Sequence, residues 1–306
     1  MGSAAATKPA RERAPRLGAH MSVAGGMPLA VERAVSVGAT ALQVFVKSSN
    51  QWAARPFLAG EPQAFRAAAR AAGLDRHTVA HASYLVNLAS PDDVLWRRSV
   101  EGFGEEIARC STLGIPFLVV HPGAHVGTGT AAGARRVARA LDALFGTRPI
   151  KGIRPAAAAR GFEVLLEITA GQGSTLGARF EEIALILDRA SCSSRLGVCF
   201  DTCHALAAGY EFRDARSYRE TFDAFDRCVG IARIRAFHLN DSKGGLGSRL
   251  DRHEHIGRGR VGLEAFRLIL ADRRFRGLPM VLETPKGEDL AEDRENLAVL
   301  RAMVGR

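Results

Sequence analysis

Seven apolar segments of this chain end at, or one residue before, a side chain that can ligate a metal ion. The seven side chains are His20, His81, His121, Glu167, Asp201, His238 and Glu283. Neutral imidazole nitrogen and anionic carboxylate oxygen are the donors that zinc, manganese and iron take in proteins, at about 2.0 to 2.2 Å. The pattern indicates a metal site assembled from segments that are far apart in the sequence.

Two short motifs add further ligands, because "DTCH" contains Asp201 and His204, and "DRH" contains Asp251 and His253. Either spacing allows both side chains to reach one metal or two neighbouring metals. Without His20 the candidate ligands are His81, His121, Glu167, Asp201, His204, His238, Asp251, His253 and Glu283. A catalytic zinc takes about three protein ligands, so this set predicts a cluster of two or three metals. Such a cluster suits phosphoryl transfer, since it lowers the pKa of a bridging water and holds the attacking and leaving oxygens.

Each of these residues has a plainer explanation when it is taken alone. A histidine at a strand end is more often a hydrogen-bonded structural residue, and a carboxylate there often caps the following helix. Chance does not easily produce so many together. We expect His20 to orient ligands or line the site, and His77, His125 and His255 to be structural or surface residues. Cys203 in "DTCH" is expected to pack as a small buried side chain, because it has no CxxC partner.

The elements that must position these residues are strands that alternate with helices. Eight apolar runs of strand length follow residue 16, and the segments between them have helical periodicity, as at Val100, Phe103, Ile107, Cys110 and Leu113. Strands that are apolar on both faces imply a parallel sheet, and eight β–α units close a (β/α)8 barrel. An open doubly wound sheet is the alternative. In a barrel the carboxyl ends of the strands meet at one mouth, so the ligands would converge there.

Composition limits the class of protein. The 306 residues are 47% hydrophobic and 24% charged, which is typical of a globular chain with a substantial core. We expect a single barrel domain over residues 17–306, after a disordered basic tail over residues 1–16. The formal charge of +10 favours an anionic partner such as nucleic acid or an anionic lipid surface, although the base composition of the gene would explain it equally well.

The cysteines and the apolar segments indicate a cytoplasmic protein. Five cysteines without a CxxC pair argue against a disulfide framework and fit a reducing compartment. No apolar stretch approaches 18 residues, so neither a signal peptide nor a membrane span is predicted.

At the candidate ligands the sequence resembles the endonuclease IV family of zinc-dependent apurinic/apyrimidinic endonucleases. The resemblance runs from Leu17 to Pro285 through the segments "LGAHMSVAGG", "HASYLVNLASP", "VVHPGAHVGTG", "EITAGQGSTLG", "FDTCHALAAGY", "FHLNDSK", "DRHEHIGRGRVG" and "VLETP". It implies a (β/α)8 barrel with three zinc ions, manganese being an alternative at some positions. One zinc would be held by His81, His121 and Glu167, a second by Glu167, Asp201, His238 and Glu283, and a third by His204, Asp251 and His253.

The resemblance also implies an activity in DNA repair. Metal-bound hydroxide would attack the phosphorus 5′ to a base-less sugar in duplex DNA, leaving a 3′-hydroxyl and a 5′-deoxyribose phosphate. Blocked 3′ ends would be trimmed as well. Glu167 and Glu283 would take part in this chemistry in addition to binding metal. We expect a cytoplasmic monomer that acts on damaged DNA and has no membrane partner.

Six residues are candidates for contact with DNA. Tyr84 and Leu85 in "HASYL" match the family's wedge, which fills the gap left by a flipped-out nucleotide, although such an apolar pair taken alone more often belongs to a core. Asn50 in "KSSNQW" stands where the family often has an inserting arginine. The candidates for phosphate contacts are Lys47, Lys243 and Arg258. Beside the ligand Glu167, Ile168 replaces a more usual polar residue, which would change the hydrogen bonding there.

Two other classes of protein fit parts of the pattern. A sugar isomerase or epimerase would use the same barrel with one or two metals bound chiefly by carboxylates, and the histidine-rich ligand set counts against it. A non-catalytic DNA-binding protein with structural zinc would have metal sites that are closed to water.

Overall fold

The computed structural model describes residues 14–304, and its strands alternate with helices along the chain. The strands are β1 (Arg16–His20), β2 (Ala41–Phe45), β3 (Thr78–His81), β4 (Phe117–Val120), β5 (Glu163–Glu167), β6 (Leu196–Asp201), β7 (Ile234–His238), β8 (Asp241–Ser242), β9 (His253–Glu254) and β10 (Pro279–Leu282). The helices are α1 (Met27–Ser36), α2 (Glu61–Ala71), α3 (Asp93–Leu113), α4 (Thr130–Leu144), α5 (Phe180–Arg189), α6 (Thr202–Ala208), α7 (Ala215–Cys228), α8 (Leu263–Ala271) and α9 (Ala291–Met303).

Strands β1 to β7 and β10 form a closed parallel barrel in the order β1-β10-β7-β6-β5-β4-β3-β2. Closure comes from β1, which pairs in parallel with β10 on one side and with β2 on the other. The predicted (β/α)8 barrel is therefore confirmed, and the open sheet was the wrong alternative. The chain forms a single domain around this barrel.

Side chains along each barrel strand point alternately into the barrel and outward to the helices, and they form two separate cores. Val79, Val119, Leu165, Cys199 and Ala236 come from five neighbouring strands and pack on one another inside the barrel. The residues between them pack outward against the helices in a much larger cluster. Because side chains alternate along a strand, the residue two positions after each inner residue also points inward, at the carboxyl end of the barrel.

Helix α3 shows how the outer layer is fixed. The predicted stripe of Val100, Phe103, Ile107, Cys110 and Leu113 is buried along its whole length. The helix begins with a side-chain cap, since the carboxylate before its first residue accepts a hydrogen bond from a main-chain N–H of the first turn. It ends at a glycine with a φ of 72°, a left-handed conformation that favours glycine.

Two features depart from a simple repeat of eight β–α units. After β6 the chain forms the short helix α6 before the outer helix α7, and after β7 it forms the small antiparallel pair of β8 and β9. The first strand begins at residue 16, one residue before the expected start of the domain. The tail is predicted to be disordered over residues 1–16, of which residues 1–13 lie outside the described part of the chain and residue 16 belongs to β1. Among the described helices, none combines the length and apolar character needed to cross a bilayer.

Candidate metal centre at the barrel mouth

Glu167, at the end of β5, is fully buried between four imidazole rings. Its Oε2 lies 3.0 Å from His81 Nε2 and 3.1 Å from His121 Nε2. Its Oε1 lies 2.9 Å from His238 Nδ1 and 3.3 Å from His204 Nδ1. Oε2 thus faces the Nε2 atoms of His81 and His121 while Oε1 faces Nδ1 of His238, which is the arrangement a carboxylate needs to bridge two cations.

A second group of ligand atoms lies on the far side of Glu167. Ligand atoms of Glu167, Asp201, His238 and Glu283 all lie within 4.8 Å of one another. His238 Nδ1 is central, at 3.2 Å from Glu283 Oε2 and 3.7 Å from Asp201 Oδ2. Three carboxylates around one imidazole form an anionic pocket that fits a divalent cation.

A third group forms where the β8–β9 pair reaches over the mouth. Ligand atoms of Asp201, His204 and His253 lie within 4.8 Å of one another. Asp251 Oδ1 lies 3.1 Å from His204 Nε2 and 3.6 Å from His253 Nε2. Asp201 Oδ2 is also 3.7 Å from His253 Nε2, so this carboxylate borders two groups. With the first group of His81, His121 and Glu167, eight of the nine candidate ligands fall into three groups, and the ninth, Asp251, borders the third group.

Hydrogen bonds from ring nitrogens to main-chain carbonyls fix how three of the histidines face the cluster. His81 Nδ1 donates to Ala82 O at 2.8 Å, and His204 Nδ1 donates to Ile168 O at 3.0 Å. His253 Nδ1 likewise contacts the Glu283 carbonyl at 3.2 Å. Since a carbonyl only accepts, these nitrogens carry the hydrogen and Nε2 is left to ligate.

Two of those Nε2 atoms test whether a metal fits. In the described part of the chain, His204 Nε2 and His253 Nε2 are buried and have no hydrogen bond of acceptable geometry. Unpaired buried nitrogen is costly, and both atoms face the carboxylate of Asp251. A divalent cation between them would satisfy all three side chains, so the residues present fit a metal ion.

Electrostatics in the metal-free cluster point the same way. Burial alone raises the pKa of the Glu167 carboxyl, but the His238 and His121 imidazoles outweigh it and hold that pKa well below its ordinary range. Burial lowers the pKa of His204, yet Asp201 and other nearby carboxylates raise it well above the usual value. The charged form of His204 is therefore favoured when metal is absent, and metal binding to this side chain must displace a proton.

Two side chains that sequence reasoning missed hold the ligands. Gln43 Oε1 lies 2.8 Å from His238 Nε2, and Gln43 Nε2 donates to Glu283 Oε1 at 2.5 Å. Asn240 Nδ2 donates to Asp201 Oδ2 at 2.7 Å, and Asn240 Oδ1 accepts from Glu283 N at 2.7 Å. Gln43 could have been found as the one polar residue in the strand "ALQVF".

The departure from the family pattern at Ile168 leaves the hydrogen bond between His204 and the main chain of residue 168 in place. The side chain of Ile168 is fully buried in the apolar core, and its main-chain carbonyl accepts from His204. The orientation of His204 therefore depends on the backbone after β5 and not on a polar side chain at this position.

The centre opens to solvent on one side. A cleft of about 220 Å³ is lined by His81, Tyr84 and His121, among others. The side chain of His121 is 35% exposed, whereas that of Glu167 is fully buried. An open position of this kind is typical of catalytic metal sites, while structural sites are closed.

Four of the candidate DNA contacts lie on the surface. Tyr84 is 69% exposed and its ring centroid lies 6.3 Å from that of His81, beside the centre. Leu85 is half-buried, and Asn50 and Lys243 are exposed. Arg258 is also exposed and lies 3.2 Å from a glutamate on α9.

Lys47 lies inside the protein and not on the surface, where a phosphate contact was predicted. Its side chain is buried, 3.4 Å from Glu106 Oε1, and its Nζ donates to the carbonyls of Gln51 and Trp52. A direct phosphate contact requires an ammonium group that reaches the surface, so the structure contradicts that prediction. Glu106 in turn accepts from Ser83 N at 3.1 Å, which connects the loop after β2 to the loop after β3.

Three of the remaining histidines lie where they were expected. His20 contacts Gln43 at the edge of the metal centre, with 3.0 Å between His20 Nδ1 and Gln43 Nε2. His125 Nδ1 accepts from Gly129 N in a surface loop. His255 contacts a side-chain amide on α9.

Comparison with known proteins identifies the class first. Residues 31–303 match the family model of the xylose isomerase-like TIM barrel. The structure of an epimerase of this fold, 3-keto-D-glucoside 4-epimerase from E. coli, superposes with a TM-score of 0.65 at 15% identity over 94% of this chain and 99% of the other. That likeness establishes the fold alone.

Closer relatives then identify the family. A probable endonuclease 4 of Chloroflexus aurantiacus is 49% identical over 95% of this chain and 98% of its own length. One from Chloroflexus aggregans is 50% identical with the same coverage. Endonuclease IV from Thermus thermophilus is 39% identical, with a TM-score of 0.79 over 94% of this chain and 98% of the other. The chain belongs to the endonuclease IV family and is a nuclease.

Proposed function

We propose that this chain is a zinc-dependent endonuclease that incises duplex DNA on the 5′ side of apurinic or apyrimidinic sites. Water adds across the phosphodiester bond, so that the products carry a 3′-hydroxyl and a 5′-deoxyribose phosphate. Removal of 3′ blocking groups follows from the same hydrolysis at a strand end. The enzyme acts as a monomer in the cytoplasm, with damaged DNA as its partner.

The observation that carries this proposal is the set of three ligand groups connected by Glu167 and Asp201 at an open mouth. One zinc in each group would give three per chain, with manganese an alternative at some positions. The assignment we propose is the one implied by the family motifs, including Asp251 with His204 and His253 in the third group. Metal ions bound in these groups would supply an activated water and neutralise charge on the reacting phosphate.

The residues of the chain then orient the reactants. Glu167, buried and ionised, holds its four imidazoles in place. Glu283 is 17% exposed at the edge of the cluster, and its ionised carboxylate can accept a hydrogen bond from the attacking water and orient it. The net charge of +10 favours approach of the DNA backbone.

Recognition of the lesion would use the exposed side chains beside the mouth. Tyr84 lines the cleft and, with its half-buried neighbour Leu85, would occupy the gap left when the abasic nucleotide turns out of the helix. Turning it out costs least where no base has to be unstacked, so part of the selectivity comes from the lesion. Lys243, Arg258 and Asn50 would contact the DNA around it.

Incision of a duplex oligonucleotide that contains one abasic site tests the proposal. We expect the metal-replete chain to cut only the damaged strand, on the 5′ side of the lesion, and to leave an undamaged duplex intact. A chelator should abolish the cut and added zinc should restore it. If the metal-replete chain left the abasic duplex intact, the proposal would be wrong.

Two control assays separate this function from the other classes. His121→Ala should keep binding the abasic duplex but lose incision, which a non-catalytic DNA-binding protein could not explain. An assay of ketose interconversion should be negative, whereas a sugar epimerase on this barrel would be active in it.

A further inference from the structure

His238 is held differently from three other histidines of the centre. His81, His204 and His253 each place Nδ1 against a main-chain carbonyl. His238 directs its outer nitrogen, Nε2, to the side-chain amide of Gln43 at 2.8 Å. Its orientation therefore depends on a side chain that can be substituted.

The hydrogen bonds of Gln43 determine which way its amide points. Glu283 Oε1 lies 2.5 Å from one end of the amide, and an ionised carboxylate can only accept, so that end must be the NH₂ group. The second hydrogen of this NH₂ group points to His20 Nδ1 at 3.0 Å. The carbonyl end then faces His238 Nε2, which must donate to it. The Nε2 proton of His238 is thereby fixed, so Nδ1, which lies among Glu167, Asp201 and Glu283, is the nitrogen that would bind a metal.

The position of the amide is itself fixed by the barrel. Gln43 lies in the middle of β2, opposite His20 of β1 and Val79 of β3. Its side chain and that of His238 are fully buried. The strand thus carries an amide whose two N–H groups and carbonyl oxygen each have a partner within the metal centre.

We infer that Gln43 is a positioning residue for the central metal, because it fixes Nδ1 of His238 and one carboxylate oxygen of Glu283 as ligands. This rests on the metal centre of the proposed function but not on its substrate. Partners of this kind typically change metal affinity by about 10- to 100-fold when they are removed. The effect should be confined to one of the three ligand groups, since Gln43 has no hydrogen bond to the other two.

The test is zinc retention by the full chain against a graded series of chelator concentrations, with zinc per chain measured by mass spectrometry. Gln43→Met keeps side-chain length but removes the amide. We expect this variant to lose one zinc at a chelator concentration about 10- to 100-fold lower than the wild-type chain requires, and to retain the other zinc ions. Gln43→Ala serves if the methionine variant does not fold, and the same single loss is expected.

Tyr218→Phe is the matched control, because it removes a buried 2.8 Å hydrogen bond to Asp272 that lies outside the metal centre. It should retain zinc as the wild-type chain does. Retention of all zinc by the Gln43 variants would overturn the inference, and so would parallel loss of all three ions, which would indicate general destabilisation. The result is independent of incision, since a chain that bound zinc as expected but left abasic DNA intact would contradict only the proposed function.

Discussion

At the scale of single residues, the metal centre depends on partners that face away from the metals. His81, His204 and His253 would ligate a metal through Nε2, because a carbonyl takes Nδ1 in each of them. Such contacts orient a ligand before metal arrives, which reduces the cost of assembling the site. Burial adds to this, because it leaves the unpaired nitrogens of His204 and His253 without water.

Two lysines that the sequence predicts as phosphate contacts should behave differently in DNA binding. Lys243 is exposed, whereas Lys47 is buried against Glu106. Substitution of a phosphate-contacting lysine lowers the slope of log affinity against log salt by about 1. We expect Lys243→Met to lower the slope in this way, and Lys47→Met to weaken binding at every salt concentration with the slope unchanged.

Fluorescence anisotropy with an abasic duplex measures both slopes, in a His121→Ala background that does not cut the DNA. A drop of about 1 in the slope for Lys47→Met would mean that the lysine leaves its pocket to reach a phosphate.

Glu106 should make stability depend on pH. Burial raises the pKa of this carboxyl to about 7, against a partial opposing effect of Lys47. The folded chain therefore holds a proton that the unfolded chain releases near pH 4.5, so the contribution of Glu106 is largest below that pH and is lost as pH rises through about 7. The loss amounts to a few kcal/mol at most, from about 1.4 kcal/mol per pH unit.

Urea unfolding of the wild-type chain and of Glu106→Gln between pH 5 and 8 isolates this contribution, because the glutamine does not titrate. The stability of the wild-type chain relative to the variant should fall as pH rises. A constant difference across the range would show that Glu106 does not titrate there.

At the scale of elements, closure of the barrel depends on a close approach of β1 and β2. A Cβ added at Gly18 would lie 1.8 Å from the carbonyl oxygen of Ala41, its partner in β2. Gly18→Ala must therefore push the two strands apart, at a cost of about 3 kcal/mol in the free energy of unfolding. Gly245→Ala should change it by less than about 0.5 kcal/mol, because a Cβ there meets nothing within 4 Å.

Chemical denaturation of the two alanine variants beside the wild-type chain measures this difference. Equal stability of the Gly18 and Gly245 variants would mean that the barrel can open at the β1–β2 pair without cost.

The sequence was sufficient to predict the strands and the convergence of their terminal side chains. Parallel strands place their carboxyl ends at one mouth, so a ligand such as Glu167 could be assigned to it without knowledge of the helices. Gln43 was not predicted because a neutral amide within an apolar run gives no sign of a metal site. Its side chain nevertheless points into the barrel, as that of its neighbour Val79 does. Glu106 likewise lies on the buried stripe of α3, where only the fold reveals that Lys47 meets it.

Very short strands and folded-back loops cannot be predicted from the periodicity of the sequence. The strands β8 and β9 have two residues each, too few to show alternation, yet they place His253 over the third ligand group. The burial of Lys47 depends on how the loop after β2 folds back, which no periodicity encodes.

At the scale of the whole molecule, one barrel architecture serves different chemistries. The E. coli epimerase shares the fold at 15% identity, whereas the Thermus endonuclease IV shares it at 39%. The site, and not the barrel, therefore determines the activity. In this chain the site has five histidines beside four carboxylates, which distinguishes it from a site built chiefly of carboxylates.

A zinc titration of the stripped chain, followed by zinc content and by incision of an abasic duplex in the same samples, tests the central claim most directly. We predict no incision without metal, and full incision only as bound zinc approaches one ion for each of the three ligand groups. Full activity of the stripped chain, or an intact abasic duplex at full zinc occupancy, would contradict the account.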